Sequence, residues 1–116
     1  MIKSNVFQIE RPWGNFRQFT KNDKSTIKII TVKPGEILSL QSHKNRSEFW
    51  HIISGSGIVE INGVERDTMA GDEHDVAVGE KHRIRAGKDG LLFLEIGIGD
   101  FDEEDIIHYE DKYGRV

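Results

Sequence analysis

The feature that most constrains the fold is a succession of short runs in which apolar and polar residues alternate, each closed by a glycine-bearing turn. "TIKIITVK" (26–33) sets Ile27, Ile29 and Thr31 against Lys28, Ile30 and Val32. "EILSLQSH" (36–43) sets Leu38 and Leu40 against Ser39, Gln41 and His43. A period of two belongs to strands. "EFWHIISG" (48–55) is rich in aromatic and β-branched residues, and "GIVEINGVE" (57–65) holds the hairpin pair Asn62-Gly63. "HDVAV" (74–78), "HRIRA" (82–86) and "LLFLEIGI" (91–98) complete the set. Helical periodicity is nearly absent. The expectation is an all-β antiparallel sandwich or barrel in one domain, 1–116, with one short helix near 103–109 capped by Asp102.

With 116 residues, 36% hydrophobic and 31% charged, the chain suits a single water-facing domain with one core. Its formal charge of −4 offers no basic footprint for nucleic acid or an anionic membrane. The acid-rich run "GDFDEEDIIHYEDKYG" reads first as a solvated face or a helix start. Cysteine is absent, which excludes disulfides, cysteine-bound zinc and thiol nucleophiles. "MIKSNVFQIE" has no apolar signal segment, and no run nears the ~18 apolar residues of a membrane span. The expected location is cytoplasmic, with no membrane partner.

Against this apolar background, "LSLQSHKNRSEFWHIISGSG" (38–57) collects an amide, an imidazole and a carboxylate. Alternation puts Gln41 and His43 on one face, opposite Leu38 and Leu40. The turn "KNRS" can bring Glu48 back beside His43. Such nitrogen and oxygen donors suit a divalent first-row cation. A fourth ligand must come from elsewhere, and His82, at the start of a strand in "GEKHRIRA", is the best candidate. His51, on the face opposite Glu48, and His74, in an acidic turn, compete with it and read as structural or exposed.

From Gly35 the spacing runs through Gln41, His43 and Glu48 to Gly55, and from Gly71 through Ala77, Gly79 and His82 to Ala86. This resembles the two-part cupin signature, G-x5-H-x-H-x4-E-x6-G followed by G-x5-P-x-G-x2-H-x3-N. The resemblance implies a double-stranded β-barrel, or jelly roll, holding one metal through Gln41, His43, Glu48 and His82. Gln41, Ala77 and Ala86 depart from the general signature. "RPWGNF", "VKPGEILSLQSHKNRSEFWHIISGSG", "GEKHRI" and "EEDIIHYEDKYGR" are similar, more narrowly, to the type II mannose-6-phosphate isomerase domain. That cupin is often fused behind a mannose-1-phosphate guanylyltransferase. Its pattern already has glutamine at the position of Gln41 and typically arginine where this chain has His108. The expectation is a free-standing cupin.

The resemblance implies interconversion of mannose 6-phosphate and fructose 6-phosphate, with the metal (Zn, Mn, Co, Ni or Fe, not distinguished) as Lewis acid. Phosphate calls for cations, and Arg46, Arg115 and, behind them, Lys44 are the candidates. Arg83 should face away if His82 points inward. Trp13 and Trp50 are candidate sugar-stacking walls, with core packing the competing role for Trp50. The base stays open among a metal-bound water, Glu48, His108 and an acid of the tail. Arg115 and His108 are the catalytic candidates, in a tail that in the resembled family folds over the barrel. The other reading is a non-catalytic cupin that binds a sugar phosphate or nucleotide sugar; an iron-dependent oxygenase is a weaker third. The sheet edges and the resemblance together imply a homodimer.

Overall fold

The computed structural model describes residues 5–114. Nine strands follow one another: β1 Phe7–Arg11, β2 Gly14–Gln18, β3 Ser25–Val32, β4 Leu40–Ser42, β5 Arg46–Ile61, β6 Val64–Met69, β7 Glu73–Val76, β8 His82–Gly99 and β9 Ile107–Glu110. All pairings are antiparallel, and β1–β2 stand apart as a hairpin. Among the described residues there is no helix long and apolar enough to cross a membrane.

The sequence reads β5 as two strands and β8 as two strands. They are instead single strands of 16 and 18 residues that bend in the middle. The first part of β5 pairs with the second part of β8 (Phe49↔Ile96), and the second part of β5 with the first part of β8 (Val59↔Ile84). The register shifts between Ile52 and Ser54 and again between Gly55 and Gly57. A bulge bends a strand and sharpens its twist. Gly55 has φ 84°, and a side chain there would collide with the Gly90 carbonyl. Gly57 sits equally close to the Arg85 carbonyl. What looks like a turn in "SGSG" is thus a bend that only glycine permits.

The bend divides the sheet into two layers. One contains β3, Leu91–Gly99, Arg46–Ile52 and β7; the other contains β6, Gly57–Ile61, His82–Ala86, β4 and β9. The main core lies between them, with Val32, Trp50, Ile52 and Phe93 from the first layer against Val59, Ile84 and Ala86 from the second. This is the all-β jelly-roll architecture expected. The outer face of the first layer carries a second cluster of Phe49 and Ile96, covered by Val6 and Phe19. Arg17 of β2 pairs with Glu73 at 2.5 Å and ties the hairpin down.

Asn62 (φ 53°) and Gly63 (φ 80°) make the expected tight turn between β5 and β6. The helix expected over 103–109 does not form. Asp102 does cap a turn, its Oδ1 accepting from the Glu104 N–H at 2.9 Å. The chain then extends into β9, because Ser42 and Leu40 of β4 offer a free ladder to Ile107 and Glu110. Tertiary pairing overrides the local helix signal. The hairpin β1–β2, around Pro12-Trp13, carries no alternation strong enough to be read.

Candidate metal centre

Three elements converge where the layers meet at one end. His43 closes the β4 side, Glu48 lies near the start of β5, and His82 opens β8. All three are buried, at 4%, 2% and 3% exposure. Their candidate donor atoms lie within 4.8 Å of one another. His43 Nε2 is 3.2 Å from Glu48 Oε2, and His82 Nε2 is 3.5 Å from Glu48 Oε1.

The outward nitrogens of both rings are already committed. His43 Nδ1 lies 2.7 Å from the Asp105 carbonyl oxygen and His82 Nδ1 3.0 Å from that of Glu80. A carbonyl oxygen only accepts, so each Nδ1 carries a hydrogen. Burial lowers the His82 pKa, which favours the neutral ring. A neutral ring then turns the Nε2 lone pair toward the Glu48 carboxylate, a repulsive arrangement unless a cation lies between. Burial by itself would raise the Glu48 carboxyl, but positive charge shared with the two rings, as a ring proton or in its place a metal ion, brings it down, to about 2 through His43 and His82. Glu48 is therefore an anion, and the set fits a divalent ion of the nitrogen–oxygen class, with carbonyl-anchored imidazoles as its outer support.

The three side chains face a cavity of about 190 Å³. Gln41 lines it too, as expected for a fourth ligand. Leu38 shares that lining, although strict alternation puts it opposite Gln41. The reason is a register shift between Leu40 and Gln41, which inverts the phase of the strand there. Trp50 packs in the core, the competing role given to it, and also reaches the cavity lining. It is 2% exposed, packs edge-on against Phe93 and His82, and donates Nε1–H to Glu48 Oε1 at 3.2 Å while bordering the cavity.

The substrate candidates separate. Arg46 does not lie in a turn but begins β5, and its buried guanidinium lines the cavity, 3.4 Å from Glu48 Oε2 through Nε. Lys44 is an exposed turn residue that meets Asp105 through its main-chain N–H, and it is not part of the lining. Trp13 is 73% exposed at the tip of the β1–β2 hairpin, so the sugar-wall role is not supported within this chain. His108 points the other way: β9 turns its Nδ1 to Ser39 Oγ at 3.0 Å, outside the cavity lining. Arg115 lies outside the described residues. The far part of the described tail is held away on β4's side, where Lys112 and Tyr113 both anchor on Glu36, each at 2.6 Å. The start of the tail does border the cavity, through Glu103 and Ile106, with Phe101 just before it. Arg83 bonds Glu110 at 2.7 Å rather than facing cleanly away, and it contributes to the wall. His51 faces outward onto Glu73 at 2.8 Å, and His74, half-buried rather than exposed, meets Thr68 Oγ1 at 2.8 Å.

Two lining residues escape sequence reasoning. Glu95 interrupts "LLFLEIGI" and Lys28 interrupts "TIKIITVK", and the two are register partners on the cavity face. A charge in phase with inward apolar residues is the signal that could have found them. Burial, then the charge of Glu48 and a hydrogen bond with it, push the Glu95 carboxyl up to about 8.

The family described as mannose-6-phosphate isomerase C-terminal matches residues 2–111. Mannose-1-phosphate guanylyltransferase ManC of Salmonella typhimurium is 35% identical over 111 residues, 94% of this chain and 23% of its own length. Oxalate decarboxylase of Bacillus subtilis superposes with a TM-score of 0.69 at 29% identity, over 75% of this chain and 24% of that one. A cupin protein of Bacteroides fragilis gives 0.60 at 26% identity, over 70% and 74%. The chain spans about a quarter of the length of the curated relatives it matches. With the jelly roll, the buried His–Glu–His group and these similarities in hand, the chain belongs to the mannose-6-phosphate isomerase C-terminal family and has the cupin fold.

Proposed function

We propose that this domain is a metal-dependent aldose–ketose isomerase acting on mannose 6-phosphate and fructose 6-phosphate. The observation that carries the reading is the buried group of His43, Glu48 and His82 opening onto a small cavity of mixed polar and apolar lining. A divalent ion held by these residues, with Gln41 beside them, would polarise the sugar's carbonyl and hydroxyl oxygens. The chain's own groups do the rest. Trp50 and Ile84 shape the cavity and exclude water, and Arg46 supplies positive charge at its rim. The reaction moves a proton between C1 and C2, so a group must take it up within hydrogen-bond reach. The Glu95 carboxyl is in the cavity wall beside the metal group; pushed up to about 8 in the metal-free chain, it would have to give up its own proton before taking up the sugar's.

The second reading is a binding module for a sugar phosphate or nucleotide sugar. The relatives favour it to this extent, that the chain matches about a quarter of proteins named for guanylyl transfer. A coupled assay for fructose 6-phosphate formation, run across divalent metals, separates the two. Metal-dependent turnover that Glu48→Gln abolishes supports the isomerase. Calorimetric binding of mannose 6-phosphate without turnover in any metal leaves the binding module.

A further inference from the structure

Lys28 is out of place. It sits on β3 in the inward phase shared by Ile30 and Val32, and it lines the cavity. Charged side chains on an inward sheet face are uncommon unless paired. Its register partner is Glu95, on which its charge acts without a direct ion pair, and it packs against an aromatic ring. The ammonium stands 4.3 Å from the centroid of Phe101. The Arg46 guanidinium carbon stands 4.4 Å from the same centroid. The two cations are therefore within about 9 Å of one another, at one end of one cavity.

Their convergence is built into the strands. Arg46 begins β5 and reaches across β8 at Gly97, where a side chain would touch Arg46 Cδ at 3.4 Å. Lys28 comes from β3, on the far side of β8. Phe101, just after β8, gives both cations an apolar surface for their stems and a π face for their charge. Two like charges held this close repel each other, and an anion between them removes that cost.

We infer that Lys28 and Arg46 form the phosphate-holding end of the cavity, with Phe101 as its floor, and that the ligand class is a small phosphate monoester. The inference rests on the isomerase reading for the sugar but not for the anion. A phosphate can accept charge-assisted bonds of about 2.8 Å from more than one cation at once, and both of these line the same cavity. Arg46 also stands directly beside the metal group, its Nε 3.4 Å from Glu48 Oε2 and its Nη2 3.3 Å from His43 Nε2, so an anion held by Lys28 and Arg46 would lie next to the cation. Lys28, rather than the exposed Lys44, is then the second phosphate residue.

The test is calorimetry on the metal-loaded full chain with mannose 6-phosphate, mannose and inorganic phosphate, for the wild type, Lys28→Met and Lys28→Arg. Lys28→Met should raise the Kd for mannose 6-phosphate at least tenfold while changing metal affinity less than twofold. Lys28→Arg should recover the wild-type Kd to within threefold, which a purely packing role for the stem does not predict. Sugar-phosphate affinity within twofold of wild type in a folded Lys28→Met protein overturns the inference. So does a wild type that binds neither phosphate nor sugar phosphate. Lys28-dependent binding without isomerisation retires the enzyme reading and keeps the subsite; turnover with an unchanged KM in Lys28→Met keeps the enzyme and overturns the subsite.

Discussion

His43 Nδ1 lies 2.7 Å from the carbonyl oxygen of Asp105, a residue 62 positions further along the chain. The same Asp105 accepts from the main-chain N–H groups of Lys44 and Asn45 through its two carboxylate oxygens, each at 2.9 Å. One residue thus fixes both the ring orientation of a metal ligand and the turn that follows it. The carboxylate also gains, since these N–H groups lower its pKa. Asp105→Ala should weaken metal affinity by about tenfold or more, the usual reach of a residue supporting a ligand. Competition with a chelating dye measures this, and affinity equal to wild type removes the positioning role.

Metal removal gives a second outcome. An ion that binds only the folded chain stabilises it by about 2.7 kcal/mol at a hundredfold excess over Kd. Chelator should therefore lower the melting temperature of the wild type. His82→Ala should melt at one temperature with and without chelator. A wild-type melting curve indifferent to chelator, with no metal by elemental analysis after metal-supplemented purification, disposes of the site.

Glu95 and Glu48 predict opposite responses to pH in the metal-free protein. Glu95 is raised from 4.5 to about 8 in the folded state, chiefly by burial. Below the ordinary carboxyl range both folded and unfolded chains hold the proton. Between that range and about pH 8 only the folded chain holds it, so rising pH favours unfolding. Urea unfolding in chelator should show a loss of at least about 1 kcal/mol between roughly pH 5 and 8, absent in Glu95→Gln. Glu48 is lowered in the folded state, so its contribution is present above the ordinary range and disappears as pH falls toward about 2. A wild-type profile that parallels Glu95→Gln across the neutral range contradicts the placement of Glu95.

The bend in β5 is testable at Gly57. A methyl group there meets the Arg85 carbonyl, which is backbone and cannot turn aside. Gly57→Ala should destabilise the fold by about 2 kcal/mol or more, in the range of overpacking costs. Chemical denaturation reads it directly. A change below about 0.5 kcal/mol, as at an ordinary surface position, would mean that the layers tolerate a wider gap.

We propose a homodimer that closes along β3. Among the described residues this strand pairs only with β8, leaving an eight-residue edge open. Its outer face exposes Ile27 at 57% and Ile29 at 65%. A long apolar edge invites a second copy. Light scattering should give twice 13.3 kDa for the wild type and 13.3 kDa for Ile29→Lys. A wild type that stays at 13.3 kDa at every working concentration sinks the dimer.

Much of this was legible in the chain. Alternation marked the faces of β3, and Asn62-Gly63 marked a turn that formed. Gln41, His43 and Glu48 stood out as donors in an apolar stretch, while His82 joined them through the two-part spacing and the resemblance it carries. What escaped depended on long-range pairing. Ile107 joins a strand because β4 is beside it, which no local pattern around Glu103 reports. Leu38 and Gln41 share a wall because a bulge shifts the phase by one. Glu95 and Lys28 become meaningful only when β3 and β8 lie side by side.

Because β5 and β8 each run through both layers, the two layers are joined through the same two strands. Glu48 belongs to the first layer and His82 to the second, so a bound ion would rivet the two across their seam. Occupancy of the site would then be felt as rigidity throughout the molecule, from the tip beside Asn62 to the strand end at Gly99.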